Sequence, residues 1–303
     1  MRQKQFRVSL ETLCGLFGVS RQAYYETQAL ERKTSVANML VIGVVKELRL
    51  IMPLLGGRKL YNELAPLLNE HGIKMGRDQL FDLLRFHGLL IRRRMRVAKT
   101  THSNHRFKKY PNLTTSLLVT ESEQLWVGDI TYIRTIHGFC YLSLLTDTYS
   151  RKIVGYSLWP TLEANGCIEA LNMAISSRKK PGNDLIHHSD RGIQYCSVAY
   201  VDILNNNRIN ISMTQSGSPY ENALAERVNG IIKNEFFPKR IYQNYKDAKK
   251  AIKQIVEVYN KRRPHSSINF LTPELAHEEN GIIKKRWKTY LKKNKRIEEL
   301  NIY

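Results

Sequence analysis

The sequence predicts a mixed five-stranded α/β core flanked by helices, preceded by all-α units. Three observations predict it. From about residue 124, short apolar, β-branched runs alternate with segments of helical periodicity. Upstream of residue 91, apolar residues recur at helical spacing and glycines close each run. Between the two regions no carboxylate stands from Asp82 to Glu121, while basic residues crowd there.

Residues 9–28 read as two helices joined by a turn. Leu10, Leu13, Leu16 and Phe17 share a helical face, Gly18 breaks it, and Ser20 is a candidate N-cap for a helix carrying Arg21, Tyr24 and Tyr25. A second helical unit follows. A long apolar helix covers about 38–52, a second about 58–71 carries Pro66 and stops at Gly72, and a third about 77–87 stops at Gly88. The third presents Arg77, Gln79 and Arg85 outward. Both units have helix-turn-helix proportions. The tether carries Arg92, Arg93, Arg94, Arg96, Lys99, Arg106, Lys108 and Lys109, a charge run suited to tracking phosphates.

Strands follow at Leu125–Arg134, Phe139–Leu145 and Lys152–Leu158, then a helix at Thr161–Ser177. A strand at Asp184–Ser189, a helix at Ser197–Asn206, a strand at Ile209–Met213 and a helix at Ala223–Phe236 complete the pattern. Three strands, helix, strand, helix, strand, helix is the order of a ribonuclease-H-like fold. The divisions are 1–32, a helix-turn-helix; 33–95, a second such helical domain; 96–123, a basic linker; 124–278, the α/β core; and 279–303, a basic tail. Lys284 to Arg296 contributes eight Lys/Arg and no acid to that tail.

The net charge is +21 and the pI about 9.8. Such an excess favours a polyanionic partner through counterion release from phosphates. Cys14, Cys140, Cys167 and Cys196 form no CxxC pair and no zinc-spaced cluster. Cys140 and Cys167 fall in apolar stretches, as small core residues do, and a reducing cytoplasm is expected. Met1 is followed by Arg-Gln-Lys and not by a signal peptide. No apolar run nears the ~20 residues of a membrane span.

Asp129 sits in Trp126-Val-Gly-Asp-Ile-Thr-Tyr-Ile, Asp190 ends His187-His-Ser-Asp, and Glu226 lies in Glu221-Asn-Ala-Leu-Ala-Glu-Arg. On the expected order Asp129 stands in the first strand, Asp190 just past the fourth and Glu226 on a later helix. Hard oxygen ligands of this kind suit Mg²⁺ or Mn²⁺. Two such ions clamp the attacking and leaving oxygens of an in-line phosphoryl displacement. At about 100° per residue, Asn222, Glu226, Asn229 and Lys233 fall within about 60° of one another, opposite Leu224, Val228, Ile231 and Ile232. The stripe aims a carboxylate at metal and a lysine at substrate phosphate. Glu221 is a rival third acid, set after the Ser216-Gly-Ser-Pro-Tyr loop. Asp147, at a strand end, reads as a turn former. His187 and His188 read either as substrate contacts or donors behind the acids, or as satisfied core histidines.

The chain resembles the catalytic reading-frame product of the IS-three family of bacterial insertion sequences. The matching residues are Trp126-Val-Gly-Asp-Ile-Thr, Asp147-Thr-Tyr-Ser-Arg-Lys-Ile-Val-Gly, His188-Ser-Asp-Arg-Gly-Ile-Gln-Tyr, Asn222-Ala-Leu-Ala-Glu-Arg with Lys233, Tyr259-Asn-Lys-Arg-Arg-Pro-His-Ser-Ser-Ile and Leu271-Thr-Pro. Upstream, Val19-Ser-Arg-Gln-Ala-Tyr-Tyr, Gly57-Arg-Lys-Leu and Gly88-Leu-Leu-Ile-Arg-Arg match as well. The resemblance implies a DDE transposase with a retroviral-integrase-type core over 124–278. It implies that Asp129, Asp190 and Glu226 bind two Mg²⁺ or Mn²⁺ ions. Water, then a DNA 3′-hydroxyl, would attack phosphorus at the element end and at the target, through an end–end circular intermediate. The implied partners are insertion-sequence ends and target DNA, a second copy of the chain on DNA, and an upstream reading-frame product. The implied location is the bacterial cytoplasm, at the nucleoid. Substrate DNA contacts are expected at Lys233, Asn222, His188, Arg262, Arg263, His265, Arg21, Arg77, Arg92, Arg93 and Arg94.

Two other readings fit parts of the pattern. One is a ribonuclease-H-like nuclease or resolvase, which leaves the paired helical units and the Arg262-Arg-Pro-His segment without a use. The other is a domesticated repressor, against which all three acids stand intact.

Overall fold

The computed structural model describes residues 9–91, 106–115, 117–182, 184–215, 222–237 and 241–283. Arg92, Arg93, Arg94, Glu221 and the basic tail lie outside the described residues. Two compact units divide the chain, Met1–Ile51 with Leu55–Arg92, and Met52–Leu54 with Arg93–Tyr303.

In the first unit, α1 (Leu10–Leu16) begins at Ser9, whose hydroxyl accepts the Thr12 amide. Gly18 turns the chain at φ +66, a left-handed conformation that suits glycine. Ser20 Oγ accepts the Ala23 amide and starts α2 (Arg21–Ile51). The helices expected near 20–28 and 38–52 are therefore one helix of 31 residues, and the division drawn between 32 and 33 falls inside it. No glycine or proline interrupts 26–37, so the helical ladder has nothing to stop it there. The stops expected at Gly72 and Gly88 follow α3 (Gly57–Glu70) and α4 (Arg77–Phe86). Each is closed by a bond back across the last turn, Ile73 N to Leu68 O at 2.8 Å and Leu89 N to Leu84 O at 2.7 Å. Val41, Val45, Leu60, Leu64, Leu80 and Leu84 are fully buried and form the core.

The second unit holds a five-stranded sheet in the order β3-β2-β1-β4-β5. The strands are β1 (Leu125–Thr135), β2 (Gly138–Asp147), β3 (Ile153–Trp159), β4 (Ile186–Ser189) and β5 (Asn210–Met213). β1, β2 and β3 form an antiparallel meander, while β4 lies parallel to β1 and β5 parallel to β4. With α5 (Ala164–Ser176), α6 (Val198–Asn206) and α7 (Ala223–Ile231) in their places, this is the expected ribonuclease-H-like arrangement.

Side-chain alternation sorts the layers. Trp126 and Leu145 pack with Cys167, Leu171, Tyr200 and Leu204 of α5 and α6. Asp129 therefore points to the other face, where α7 lies. Gly155 of β3 faces α5 so closely that an added Cβ would run into the Ala170 carbonyl. Since α5 covers β3 on that face, α8 (Tyr245–Lys261), which also packs on β3 and β1, takes the face of α7.

Two helices were not anticipated, α8 and the short α9 (Pro273–Glu278). The helix expected to run to Phe236 also changes character. After Ile231 it widens into a π-turn over Ile232–Phe236. The wider turn keeps Ile232 and Phe236 buried while directing Glu235 to Arg263. The four cysteines are buried, so the core role expected for Cys140 and Cys167 holds.

Gly155→Ala should separate α5 from β3. We expect about 1–3 kcal/mol of destabilisation, read as a melting-temperature loss of several degrees. Gly230→Ala, where an added Cβ would meet only Asn234 Nδ2 at an ordinary 3.9 Å, serves as the comparison and should leave stability level or raised.

Candidate active site

The parallel ladder of β1 and β4 pairs Trp126 with His187 and Val127 with His188. Carried two residues further, that register sets Asp129 beside Asp190, one strand spacing of about 4.8 Å apart in the backbone. Both carboxylates are half-buried. The Asp129 Oδ1 accepts the Ile130 amide at 3.0 Å, and Oδ2 accepts Asn229 Nδ2 at 2.8 Å. Asp190 Oδ1 accepts the Gly192 amide at 3.0 Å. Any Cβ at position 192 would stand 3.0 Å from that carboxylate oxygen, so glycine lets the turn fold back under Asp190.

α7 carries Glu226 over this edge. Asn222, at the start of the helix, donates Nδ2 to the Gly128 carbonyl at 3.0 Å. Asn229 reaches Asp129 as above. These two amides come one turn before and one turn after Glu226 on a shared face. Their partners are consecutive residues of β1. Glu226, half-buried, is thereby held between them on the side of the first acid. Asn222 Oδ1 and Asn229 Oδ1 are buried and accept no hydrogen bond among the described residues. Behind the site, His187 Nε2 meets Tyr200 Oη at 2.9 Å, and Tyr195 packs on the same ring. Burial, and then the neighbouring His188, pushes His187 down to about 3. Burial also lifts the Cys167 thiol to about 12, beside Asp190 and Asp129.

Several expected DNA contacts are corrected by burial. Arg263 is 2% exposed. Its guanidinium binds both oxygens of Glu235 at 2.8 and 2.9 Å, contacts His265 Nε2 at 2.6 Å and lies over the Tyr259 ring. His265 is buried with it. Arg263 and His265 thus lock the chain after α8 onto the π-turn. A phosphate cannot reach a guanidinium already enclosed by its carboxylate. His188 is buried, and its Nδ1 meets Ser212 Oγ of β5 at 2.8 Å, so it does not stand on the surface as a DNA contact would. Asn222 is buried as the helix clamp.

Other expected contacts stay on the surface. Arg262 is exposed at the end of α8, Arg21 at the start of α2, and Arg77 at the start of α4, where it pairs with Asp78 at 2.8 Å. Lys233 is exposed too, but it belongs to the π-turn and not to the α-helical ladder of Glu226. It lines a cavity of about 410 Å³ with Tyr132, Arg134, Phe139 and Phe237. Asp147 is the expected turn former. Fully buried, it accepts the Ser150 amide and hydroxyl and the Glu123 amide, all at 2.8 Å.

The integrase core domain family matches residues 119–219, and a second integrase core domain model matches 207–273. The transposase InsF for insertion sequence IS3A of Escherichia coli is 26% identical over 284 residues, covering 92% of this chain and 98% of that one. The insertion element IS600 uncharacterized 31 kDa protein of Shigella sonnei is 34% identical over 271 residues, covering 88% of this chain and 97% of that one. The chain belongs to the IS-three family of DDE transposases. A further relative is the putative transposase for insertion sequence element IS986/IS6110 of Mycobacterium tuberculosis. It is 33% identical over 202 residues, covering 65% of this chain and 73% of that one. The activity of this chain is that of a polynucleotidyl transferase in DNA transposition. Among the described residues, no helix is long and apolar enough to cross a membrane.

Two predictions follow from the burial pattern. Arg263→Gln breaks the buried guanidinium contacts to Glu235 and should cost about 3–5 kcal/mol of stability, with no change in the salt slope of DNA binding. A level melting temperature with a flatter salt slope would restore Arg263 to the DNA surface. His187 stays neutral in the folded chain down to about 3, whereas the unfolded chain takes up a proton below 6.5. Its folded value is depressed, so stability falls as pH drops through that window. His187→Gln removes this proton uptake. Its stability deficit relative to the wild type should therefore be smaller near about pH 5 than near about pH 7.5.

Proposed function

We propose that Asp129, Asp190 and Glu226 form the site that cleaves insertion-sequence ends and joins them to target DNA. The observation that carries this is the pair of amides, Asn222 to Gly128 O and Asn229 to Asp129 Oδ2, which fasten the helix of the third acid to the strand of the first.

The donor chemistry fits hard divalent cations, two Mg²⁺ or Mn²⁺. The acids are all oxygen ligands, and two buried amide oxygens beside them accept no hydrogen bond among the described residues, as partners for metal-bound water could. Among the described residues the carboxylates are not drawn into one ion-holding group. When bound, the ions would neutralise charge on the reacting phosphate and orient the attacking hydroxyl. The chain's own contribution is positional. Ile130 N and Asn229 orient the Asp129 carboxylate, Gly192 N orients Asp190, and the amide pair sets the height of Glu226 over β1.

The remaining parts of the reading divide the work. The helix-turn-helix units of the first unit, with Arg21 and Arg77, would select the element ends, and the basic linker would track phosphates toward the acids. Two ends must meet, so a homo-oligomer on DNA is the working form, with an upstream reading-frame product as a second partner. The compartment would be the bacterial cytoplasm, at the nucleoid. Lys233, exposed and without a carboxylate partner among the described residues, fits a phosphate contact.

Asp129→Asn, Asp190→Asn and Glu226→Gln should each abolish Mg²⁺-dependent cleavage of a terminal-repeat duplex while binding persists. Strong cleavage by Glu226→Gln would transfer the role to Glu221. Lys233→Ala should lower strand transfer and reduce the salt slope of DNA binding by about 0.9, one phosphate contact. A lowered melting temperature with the slope unchanged would make Lys233 structural instead.

A further inference from the structure

α8 separates its residues sharply. Ala248, Ile252, Val256 and Tyr259 are buried against the sheet. Lys246, Lys249, Lys250 and Lys253 are exposed. At about 100° per residue these four lysines fall within about 100° of one another, and at about 1.5 Å per residue they span about 10 Å. No carboxylate interrupts this stripe. Asp247 lies beside it and is engaged in the Asn244 cap, accepting Asn244 Nδ2 at 3.0 Å. Glu257, one turn beyond, pairs with Lys261 at 2.9 Å. Lys249 rests over the Tyr245 ring at 5.8 Å, which holds its ammonium close to the helix. None of the four has a salt-bridge partner among the described residues.

Several lysines elsewhere in the same unit are paired with acids. Lys152 pairs with Glu274, Lys179 with Glu278 and Lys180 with Glu121. A helix that only needed solubility would carry acids among its lysines, because like charges at i,i+4 repel. Lys246 with Lys250, and Lys249 with Lys253, place like charges at that spacing, so the stripe opposes the helix that bears it. The opposition is relieved when an anionic surface covers the stripe.

The stripe also lies on the side of the sheet that carries the acids. α8 shares the face of α7, and β3 is two strand spacings, about 10 Å, from β1. A duplex is charged at one phosphate per about 3.4 Å of each strand. A strand running across α8 would present several phosphates to a 10 Å row of ammonium groups.

We infer that Lys246, Lys249, Lys250 and Lys253 form a docking track for the phosphate backbone of duplex DNA, beside the catalytic acids and independent of base sequence. The inference rests on the proposed action on DNA. It adds a second contact surface, which holds the duplex flanking the reacting phosphodiester and not the reacting phosphate itself. Lysine suits that task, since a point charge on a flexible stem follows a backbone without imposing register.

The test uses the full chain and a duplex oligonucleotide of arbitrary sequence, with binding measured against salt concentration. The variant Lys246→Gln, Lys249→Gln, Lys250→Gln, Lys253→Gln should bind with a slope shallower by about 2 to 3.6, at about 0.9 per lost phosphate contact. The double variant Lys246→Gln, Lys250→Gln should lose about half as much. Both should melt no lower than the wild type. Lys261→Gln, which removes a paired lysine, should leave the slope within error. Equal slopes for the wild type and the quadruple variant would overturn the track while leaving the catalytic reading intact. A wild-type chain without salt-dependent duplex affinity would overturn both. Lysine-dependent binding to phosphatidylserine vesicles, with duplex slopes equal, would assign the stripe to a membrane surface instead.

Discussion

The proposed site depends on two side-chain amides. Asn222 and Asn229 project from one face of α7 and end on consecutive residues of β1, the Gly128 carbonyl and the Asp129 carboxylate. Without them, α7 would pack through apolar residues such as Ala225, Val228 and Ile231, and apolar contact is non-directional. A helix held only by such contact can rotate or slide by a fraction of a turn at little cost. The amides remove that freedom. A hydrogen bond to a carboxylate contributes about 1.5–3 kcal/mol and is directional. Glu226, between the two, inherits a fixed height and azimuth, and Asp129 has one carboxylate oxygen oriented by the same bond.

The rest of the second unit supports that geometry from behind. β1 lies in the middle of the sheet and takes β4 as a parallel neighbour, which brings Asp190 level with Asp129. Gly128 allows His187 and Tyr195 to approach β1 from the α5 face, since a Cβ there would stand 3.3 Å from each. The π-turn continues α7 and is tied to the segment after α8 by Arg263 and Glu235. That ion pair is enclosed, so it acts on the position of the α7 end and not on ligand binding. At the start of β1 a second buried polar group, Glu123 with Asp147, Ser150 and His277, closes the turn between β2 and β3. Glu123 accepts the Lys179 and Lys180 amides there, at 2.7 and 2.8 Å.

Much of this was legible in the sequence. The alternation of β-branched and helical runs marked all five strands, because the strands are short and bounded by turns. The placement of Asp129 and Asp190 on neighbouring strands followed from the expected strand order, and the polar stripe of Asn222, Glu226 and Asn229 from helical phase, because that stripe lies inside a regular α-helix. Phase failed at Lys233, where an i→i+5 turn begins. No residue type announces such a turn, and tertiary contacts of Glu235 and Phe236 set it. Burial of Arg263, His265 and His188 was illegible for a similar reason. Basic residues near a basic surface look exposed until the partner that encloses them, 28 residues upstream for Arg263 and 24 downstream for His188, is known. α8 was missed although its apolar face is regular, and its lysines went unread with it.

Mn²⁺ affinity tests the amide clamp most directly. Asn229→Ala removes the bond to Asp129 and the outer anchor of Glu226 but no acid. Partners that orient ligands typically cost 10–100-fold in metal affinity when removed. Titration of Mn²⁺ into the wild type and Asn229→Ala, followed by its paramagnetic signal, should show a loss of about that size with the fold retained. Equal affinities in two folded proteins would contradict the claim that the amides build the site.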